Sequence, residues 1–297
     1  MAYRMDSGAK TVEAVPEGRA QRFPWAPVAW FGALLAACYA PVLYRLVNQW
    51  YSDADMGHGF FVPVVAAYIV WQRREKLLAA KAAPTWWGLV PLVWGALQLY
   101  VATLGAELFL ARTAFIISLI GIVLLLGGWP VLRLTAFPLG LLFLMVPIPA
   151  IIYNQLTFRL QLLASSLAEF SLSALGVPVL REGNILELST QRLSVVEACS
   201  GIRSLLTLAF LSLVYAYFFD RKVWMRGALL VATVPIAISA NAFRVTLTGV
   251  VTEWNPELAE GLFHQFEGWV IFMLGFAMLM ATHFVINRVY GGLNGRR

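Results

Sequence analysis

Apolar residues in this chain fall in long runs, not in the short alternations or half-turn spacings of a soluble protein. Eight such runs, at roughly 27–47, 59–72, 86–104, 108–128, 134–150, 200–219, 227–251 and 268–287, carry few charges. A helix needs about 20 such residues to cross the hydrocarbon of a bilayer, so the pattern predicts eight membrane spans. The second run is short, and its polar start at Gly57 and His58 is expected in the interface. Gly, Pro and Trp punctuate many run ends, as helix entry and interfacial anchoring require. No segment repeats another, which sets aside an inverted-repeat transporter.

Two stretches break the pattern. Residues 156–175 keep a helical period, but Arg159, Gln161, Ser165, Ser166, Glu169 and Ser171 make them too polar for a lipid-immersed span. An amphipathic helix lying at the outer interface or capping the bundle is expected. Residues 177–198 alternate short β-prone runs with the turn-like REGN and STQ, which predicts a small external β-meander leading into Cys199. The expected fold is therefore an all-α integral membrane protein of about eight transmembrane helices, with one interfacial helix and one meander. It divides into a cytoplasmic segment 1–26, a membrane domain 27–287 and a cytoplasmic tail 288–297.

Composition agrees: the chain is 60% hydrophobic and only 13% charged, against about 25% charged in soluble domains. The net charge of +6 is no sign of nucleic-acid binding, because its basic residues flank spans. Arg73, Arg74, Lys76, Lys81, Arg133, Arg221, Lys222, Arg226, Arg288, Arg296 and Arg297 fall on one set of loops or on the tail. Asp53, Asp55, Glu107, Glu253, Glu257 and Glu260 fall on the alternate set, and only the 176–198 loop is mixed. The positive-inside rule then puts both termini in the cytoplasm and the acidic loops outside, a parity that works for eight spans and fails for seven. The first run is too long, and lacks the small-residue cleavage pattern, for a removable signal peptide.

That orientation gathers reactive side chains on one face. Cys199 falls at the outer mouth of the sixth run, and His58 and His264 stand in outer segments. Arg244 sits about seven residues below the outer end of the seventh run, roughly 10 Å into the apolar zone at 1.5 Å per residue. Each has an ordinary reading. An interfacial cysteine is commonly a space-filler, interfacial histidines are common, and arginines near span ends snorkel to phosphates. Arg244 resists that reading, since a charge at its depth is costly without a partner or a wet cavity. Asn241, three residues earlier on the same helix face, is placed to orient it. His283 is expected to be packed or interfacial, and Cys38 to be core and poorly placed to pair with Cys199.

If these groups converge, the chemistry is acyl transfer: a Cys199 thiolate attacks a carbonyl and holds the acyl group as a thioester. His264 has the pKa to take and return the proton, while Arg244 holds the thiolate or the oxyanion by fixed charge. Arg203, one turn after Cys199, either lowers the thiol pKa or binds a lipid phosphate; both readings stay open. Ser200 and Glu267 complete the supporting set, and neither metal nor cofactor is expected.

Four motifs, DMGHGFFVP, VEACSGIRSL, NAFRV and FHQFEG, in this order resemble those of the exosortase/archaeosortase family. The resemblance runs from the second span to the eighth. His264, where archaeal relatives tend to carry arginine, places it with the bacterial branch; no fused soluble C-terminal domain is expected. The resemblance implies an integral-membrane cysteine transpeptidase that processes exported proteins bearing a Pro-Glu-Pro motif, one transmembrane helix and a basic tail. In that family Cys199 would be the nucleophile, Arg244 the proton donor or oxyanion stabiliser, and His264 the general acid–base. It also implies the bacterial inner membrane, a periplasmic active site, an association with exopolysaccharide and biofilm loci, and membrane lipids among the candidate acyl acceptors. The meander would hold the motif by strand addition, with Arg181 or Arg192 pairing with its glutamate. Two other classes compete. A metalloprotease would use Asp53, Asp55, His58, His264 and Glu267, but the chain has no H-E-x-x-H pair. A non-enzymatic subunit of a polysaccharide export system would tolerate loss of Cys199. Disulfide exchange is disfavoured by the lack of Cys-x-x-Cys.

Overall fold

In lipid no water is available to the backbone, so the chain closes its hydrogen bonds within helices. The computed structural model describes residues 25–195, 201–255 and 262–294. In order they form α1 (Trp25–Ser52), a 3-10 segment (Ala54–Phe60), α2 (Phe61–Gln72), α3 (Arg74–Ala79), α4 (Leu89–Leu104), α5 (Leu108–Leu141) and α6 (Ala150–Ala174). Strands β1 (Val179–Glu182), β2 (Ile185–Leu188) and β3 (Arg192–Ser194) follow, then α7 (Ile202–Phe219), α8 (Val223–Trp254) and α9 (Leu262–Asn294). Among the described residues, seven helical stretches are long and apolar enough to cross a membrane.

The longest of them, Leu108–Met145, is two crossings. As one rod of 38 residues it would reach about 57 Å, against hydrocarbon about 30 Å thick. The break is Gly128, at φ 71 and ψ −171, a conformation open to a residue without Cβ. The Ala83 carbonyl packs where that Cβ would stand. Before the break, the carbonyls of Leu125 and Gly127 accept from the amides of Thr85 and Ala83. After it, the Leu134 carbonyl accepts from Arg73 Nη1 at the foot of α2 (2.9 Å). At the far end the Met145 carbonyl accepts from Trp50 Nε1, near the other end of α1 (2.9 Å). The chain has turned back, so eight crossings stand. The return leg begins at Trp129, not near 134, because Pro130 sits in its first turn, where a missing N–H costs nothing.

Helices α4 and α5 pack backbone to backbone through small residues. A Cβ on Gly121 would stand 2.8 Å from the Leu92 amide nitrogen, and one on Gly95 would overlap Ser118 Oγ. Helices in lipid gain little from hydrophobicity and associate through such close backbone approach. Leu46, Trp50, Val62, Ile69, Ile116, Leu142 and Met145, from α1, α2, α5 and the turn after it, form the main core. Cys38 is exposed on α1 and not in the core, because Leu35 and Tyr39 take the inward positions of that turn.

The expected amphipathic helix begins at Ala150, not 156, and carries polar residues on both faces, with Arg159 and Ser166 exposed and Gln161 and Ser165 buried. The buried stripe of α6 is Thr157, Gln161, Ala164, Ser165, Ala168 and Leu172, small or polar at three- and four-residue spacing. Its outward face mixes Ile151, Phe158 and Phe170, at 75%, 55% and 75% exposure, with the exposed Asn154, Gln155 and Arg159. The small stripe lets α6 lie close on α8, with Leu172 filling the space over Gly249, and the large side chains are left to lipid. The meander is present as an antiparallel β1–β2–β3 sheet. Its Leu186 and Leu188, with Val195, pack on Ala164, Ala168, Leu172 and Val245, which seats the sheet on α6 and α8.

At the basic end of the bundle, Asp220 clamps the α7–α8 turn to α9. Its Oδ1 accepts from the Lys222 amide (2.7 Å), and its Oδ2 from His283 Nε2 (3.0 Å) and Asn287 Nδ2 (3.1 Å). Tyr215 Oη donates to His283 Nδ1 at 3.0 Å, so His283 is a packed residue, as expected. Burial by itself would raise the Asp220 carboxyl; the hydrogen bonds from Lys222, His283 and Asn287 and the Lys222 charge outweigh it and bring the pKa to about 2. A carboxyl lowered by folding stabilises above its unfolded pKa and loses that contribution as pH falls through the folded value. Asp220→Asn is accordingly expected to destabilise the protein at pH 7 by about 1–2 kcal/mol. The gap to wild type should narrow between pH 3.8 and about 2. Thermal midpoints in detergent at pH 7, 5 and 3 check this; a gap that does not change with pH refutes it.

Candidate functional site

Arg244 stands ten residues before the end of α8, about 15 Å along the helix from its terminus. It is half-buried, and Asn241, one turn earlier, is buried at 5% exposure. Both face α7 and α9. From α7 come Ser204 and Leu208, and from α9 Gly268 and Phe272; together with Asn241 and Arg244 they line a small cavity. Its volume of about 10 Å³ suits a single water molecule.

Two glycines set this geometry. Gly201, at the N-cap of α7, has φ 78, and a Cβ there would stand 2.8 Å from Asn241 Cγ. The backbone entering α7 thus lies directly against the Asn241 side chain. Gly268 on α9 is the second: a Cβ there would be 3.9 Å from Arg244 Nη2, so the guanidinium lies against α9 backbone. Gly275, two turns on, makes the same kind of contact with Ala240 and Leu208, and this face carries α9 close to both neighbours. Gly201→Ala is expected to lower the thermal midpoint. The left-handed backbone costs an alanine about 1–2 kcal/mol, and the overlap with Asn241 adds to that. In an Asn241→Ala background only the part of the overlap made by the amide group should be recovered, since the retained Cβ of residue 241 would still stand 2.9 Å from the added carbon; a Gly201→Ala protein as stable as wild type would contradict this packing.

Cys199 and Ser200 lie outside the described residues. His264 and Glu267 fall in the first turns of α9, and their side chains likewise lie outside them. Residue 264 is one helical turn before Gly268 on the same face of α9.

The other expected residues are placed as follows. Arg203 Nε pairs with Asp55 Oδ1 at 2.6 Å, and the Tyr153 hydroxyl donates to Asp55 Oδ2. Asp55 thereby ties the 3-10 segment to the starts of α6 and α7. His58 turns away from the Arg244 cavity into the bundle, 7% exposed. Its Nε2 lies 3.2 Å from the Leu144 carbonyl and its ring packs on Phe210. Asp53 caps the 3-10 segment by accepting from the Asp55 amide (2.9 Å). The metalloprotease trio Asp53, Asp55 and His58 is thus divided among three different local tasks. On the sheet, Arg181 Nε pairs with Glu169 Oε2 on α6 at 2.8 Å. Arg192 pairs across β2–β3 with Glu187 at 2.6 Å. A substrate glutamate would have to displace these partners.

Sequence reasoning missed Tyr153, Asp55 as an ion-pair partner, Ser204, Gly201 and Gly268. The glycines had a readable signal in C-S-G and F-E-G beside the reactive residues; Tyr153 had none, since nothing local shows where its hydroxyl ends.

A family model described as transmembrane exosortase matches residues 50–281, which take in every one of the candidate residues named above. No curated protein and no solved structure matched the chain.

Proposed function

The chain belongs to the transmembrane exosortase family, and from that premise we propose that it is a membrane-embedded cysteine transpeptidase. Its substrates in this reading are exported proteins with a C-terminal Pro-Glu-Pro sorting signal, cut through an acyl-thioester on Cys199. The observation that carries the reading is a pair of close approaches on neighbouring residues of α8: Gly201 against Asn241, and Gly268 against the Arg244 guanidinium. Gly201 is two residues from Cys199, a reach of at most about 7 Å between Cα atoms. Gly268 is one turn from His264, about 6 Å along α9. The chain positions of thiol and imidazole are thus within about a turn of backbone that touches Asn241 and Arg244, which supports the reading.

The chemistry follows from the residue types. The Cys199 thiolate attacks the scissile carbonyl, and the carbonyl π electrons move onto oxygen. The guanidinium of Arg244, a fixed charge in a site with room for about one water, stabilises that oxyanion without reorganising. His264 takes the thiol proton and returns it to the leaving amine as the thioester forms. An acceptor nucleophile, lipid amine, glycan amine or water, then releases the acyl group. Arg203 acts at one remove in this scheme: its pair with Asp55 fixes the start of α7 and so the segment that carries Cys199.

The acidic loops would face the periplasm of a bacterial inner membrane and the basic loops the cytoplasm. A substrate with its own span and a basic tail would then present its motif level with the sheet. The test is co-expression with a sorting-signal reporter, followed by mass spectrometry of acid-quenched wild type for a reporter-derived acyl adduct on the Cys199 peptide. An adduct there supports the reading. Processing with no adduct and no loss on Cys199 substitution ends it, and leaves a non-enzymatic export subunit as the better account.

A further inference from the structure

The end of the bundle opposite Arg244 holds a second cavity, of about 610 Å³, which the chemistry above leaves unused. That is the size of a small-molecule site. Arg73 at the foot of α2, Lys76 on α3, Tyr217 on α7, Asp220 and Arg221 in the α7–α8 turn, and Arg226 on α8 line it.

Basic loops at one end follow from membrane orientation alone, and scattered lysines and arginines would serve. Here four line one cavity, and two of them share an aromatic floor. The guanidinium carbons of Arg73 and Arg226 stand 5.1 and 5.0 Å from the centroid of one ring, Tyr217. That ring is stacked on Phe137 at 4.5 Å, and Arg226 also lies over Phe137 at 4.7 Å. Arg73 is held in place by its bond to the Leu134 carbonyl (2.9 Å). Arg226 Nε is buried with no hydrogen-bond partner among the described residues.

Among the described residues none of the four cations has an ion-pair partner. The one carboxylate lining the cavity is Asp220, whose oxygens are taken by Lys222, His283 and Asn287. Like charges gathered around a cavity repel unless an anion joins them. Guanidinium forks match the tetrahedral oxygens of phosphate, and several cations suit its multiple charge. We propose that this cavity is a phosphate site, taking the phosphate of a lipid headgroup or of a soluble phosphate compound between Arg73, Arg226, Lys76 and Arg221.

The test uses the full chain in a maltoside detergent, which carries no phosphate, with native mass spectrometry counting bound molecules. One arm titrates short-chain phosphatidic acid, the other inorganic pyrophosphate. Saturable one-to-one binding in the lipid arm alone identifies a headgroup site; in the pyrophosphate arm alone, or in both, a site for phosphate as such. Each cation is worth about fivefold in affinity at such a surface. Arg73→Gln with Arg226→Gln should therefore weaken binding more than tenfold. Arg74→Gln, which removes a cation stacked on Trp71 outside the cavity lining, should leave binding unchanged. If the double variant does not fold, Arg221→Gln, an exposed residue, carries the test with an expected fivefold loss. No saturable binding in either arm, wild-type binding by the cavity variants, or an equal loss in Arg74→Gln would overturn the proposal.

Discussion

Cys199→Ala is expected to abolish sorting-signal processing, a fall of at least about 10⁴-fold in rate, with the protein still present in the membrane at wild-type level. Removal of the nucleophile from a catalytic set that works as a unit costs nearly as much as removal of the whole set. Cys199→Ser should fare little better, since a hydroxyl is a far weaker nucleophile than a thiolate near neutral pH. Both variants should bind substrate, so the uncut reporter should still co-purify with them. The measurement is cleavage of the co-expressed reporter over time, normalised to membrane protein. Residual cleavage within tenfold of wild type in the alanine variant would remove the thioester mechanism, whatever the rest of the site looks like.

The second large effect is expected at Arg244. Arg244→Gln should lower the cleavage rate about 100–1,000-fold, the usual loss for one preorganised oxyanion donor. It should do so through kcat, with KM little changed, because the charge matters as the oxyanion forms and less in the ground state. Arg244→Lys keeps a charge but loses the planar fork, and its ammonium is held on a different stem against the Gly268 backbone. It is expected to recover only a small part of the rate. A structural Arg244 would behave differently: both variants would lose thermal stability, and the rate per folded molecule would hold. Thermal midpoints measured beside the rates separate the two.

Much of the architecture was legible before any coordinates. The apolar runs reported the crossings because a bilayer imposes length and apolarity together. The alternation of Arg73, Lys76, Arg221 and Arg226 with Asp53, Asp55, Glu107 and Glu253 assigned them to opposite ends. The meander was legible too, from turn residues between short β-prone runs. The start of α6 was misread because its first turn, Ala150–Tyr153, is apolar and looked like the end of the preceding span. Cys38 was misread because a continuous apolar run has no period to tell its inward face from its lipid face.

The candidate site divides along the same line. The expectation that a thiol, a guanidinium and an imidazole belong near one membrane face comes from motif order and loop charge, since both are properties of the chain in one dimension. Where each side chain is spent could not be read from either. Arg203 pairs with Asp55, 148 positions away, and the Asp55–Tyr153 contact spans 98. No local rule links residues so distant; packing α6 and α7 against the 3-10 segment does. The same holds for Gly201 on Asn241, Gly268 on Arg244, and the basic cavity around Tyr217. Solvent chooses which segments are buried in lipid and which end faces which side, so hydropathy and charge carry that information. The meeting of particular atoms depends on how closely helices approach, and that is decided only when small residues on different helices come face to face.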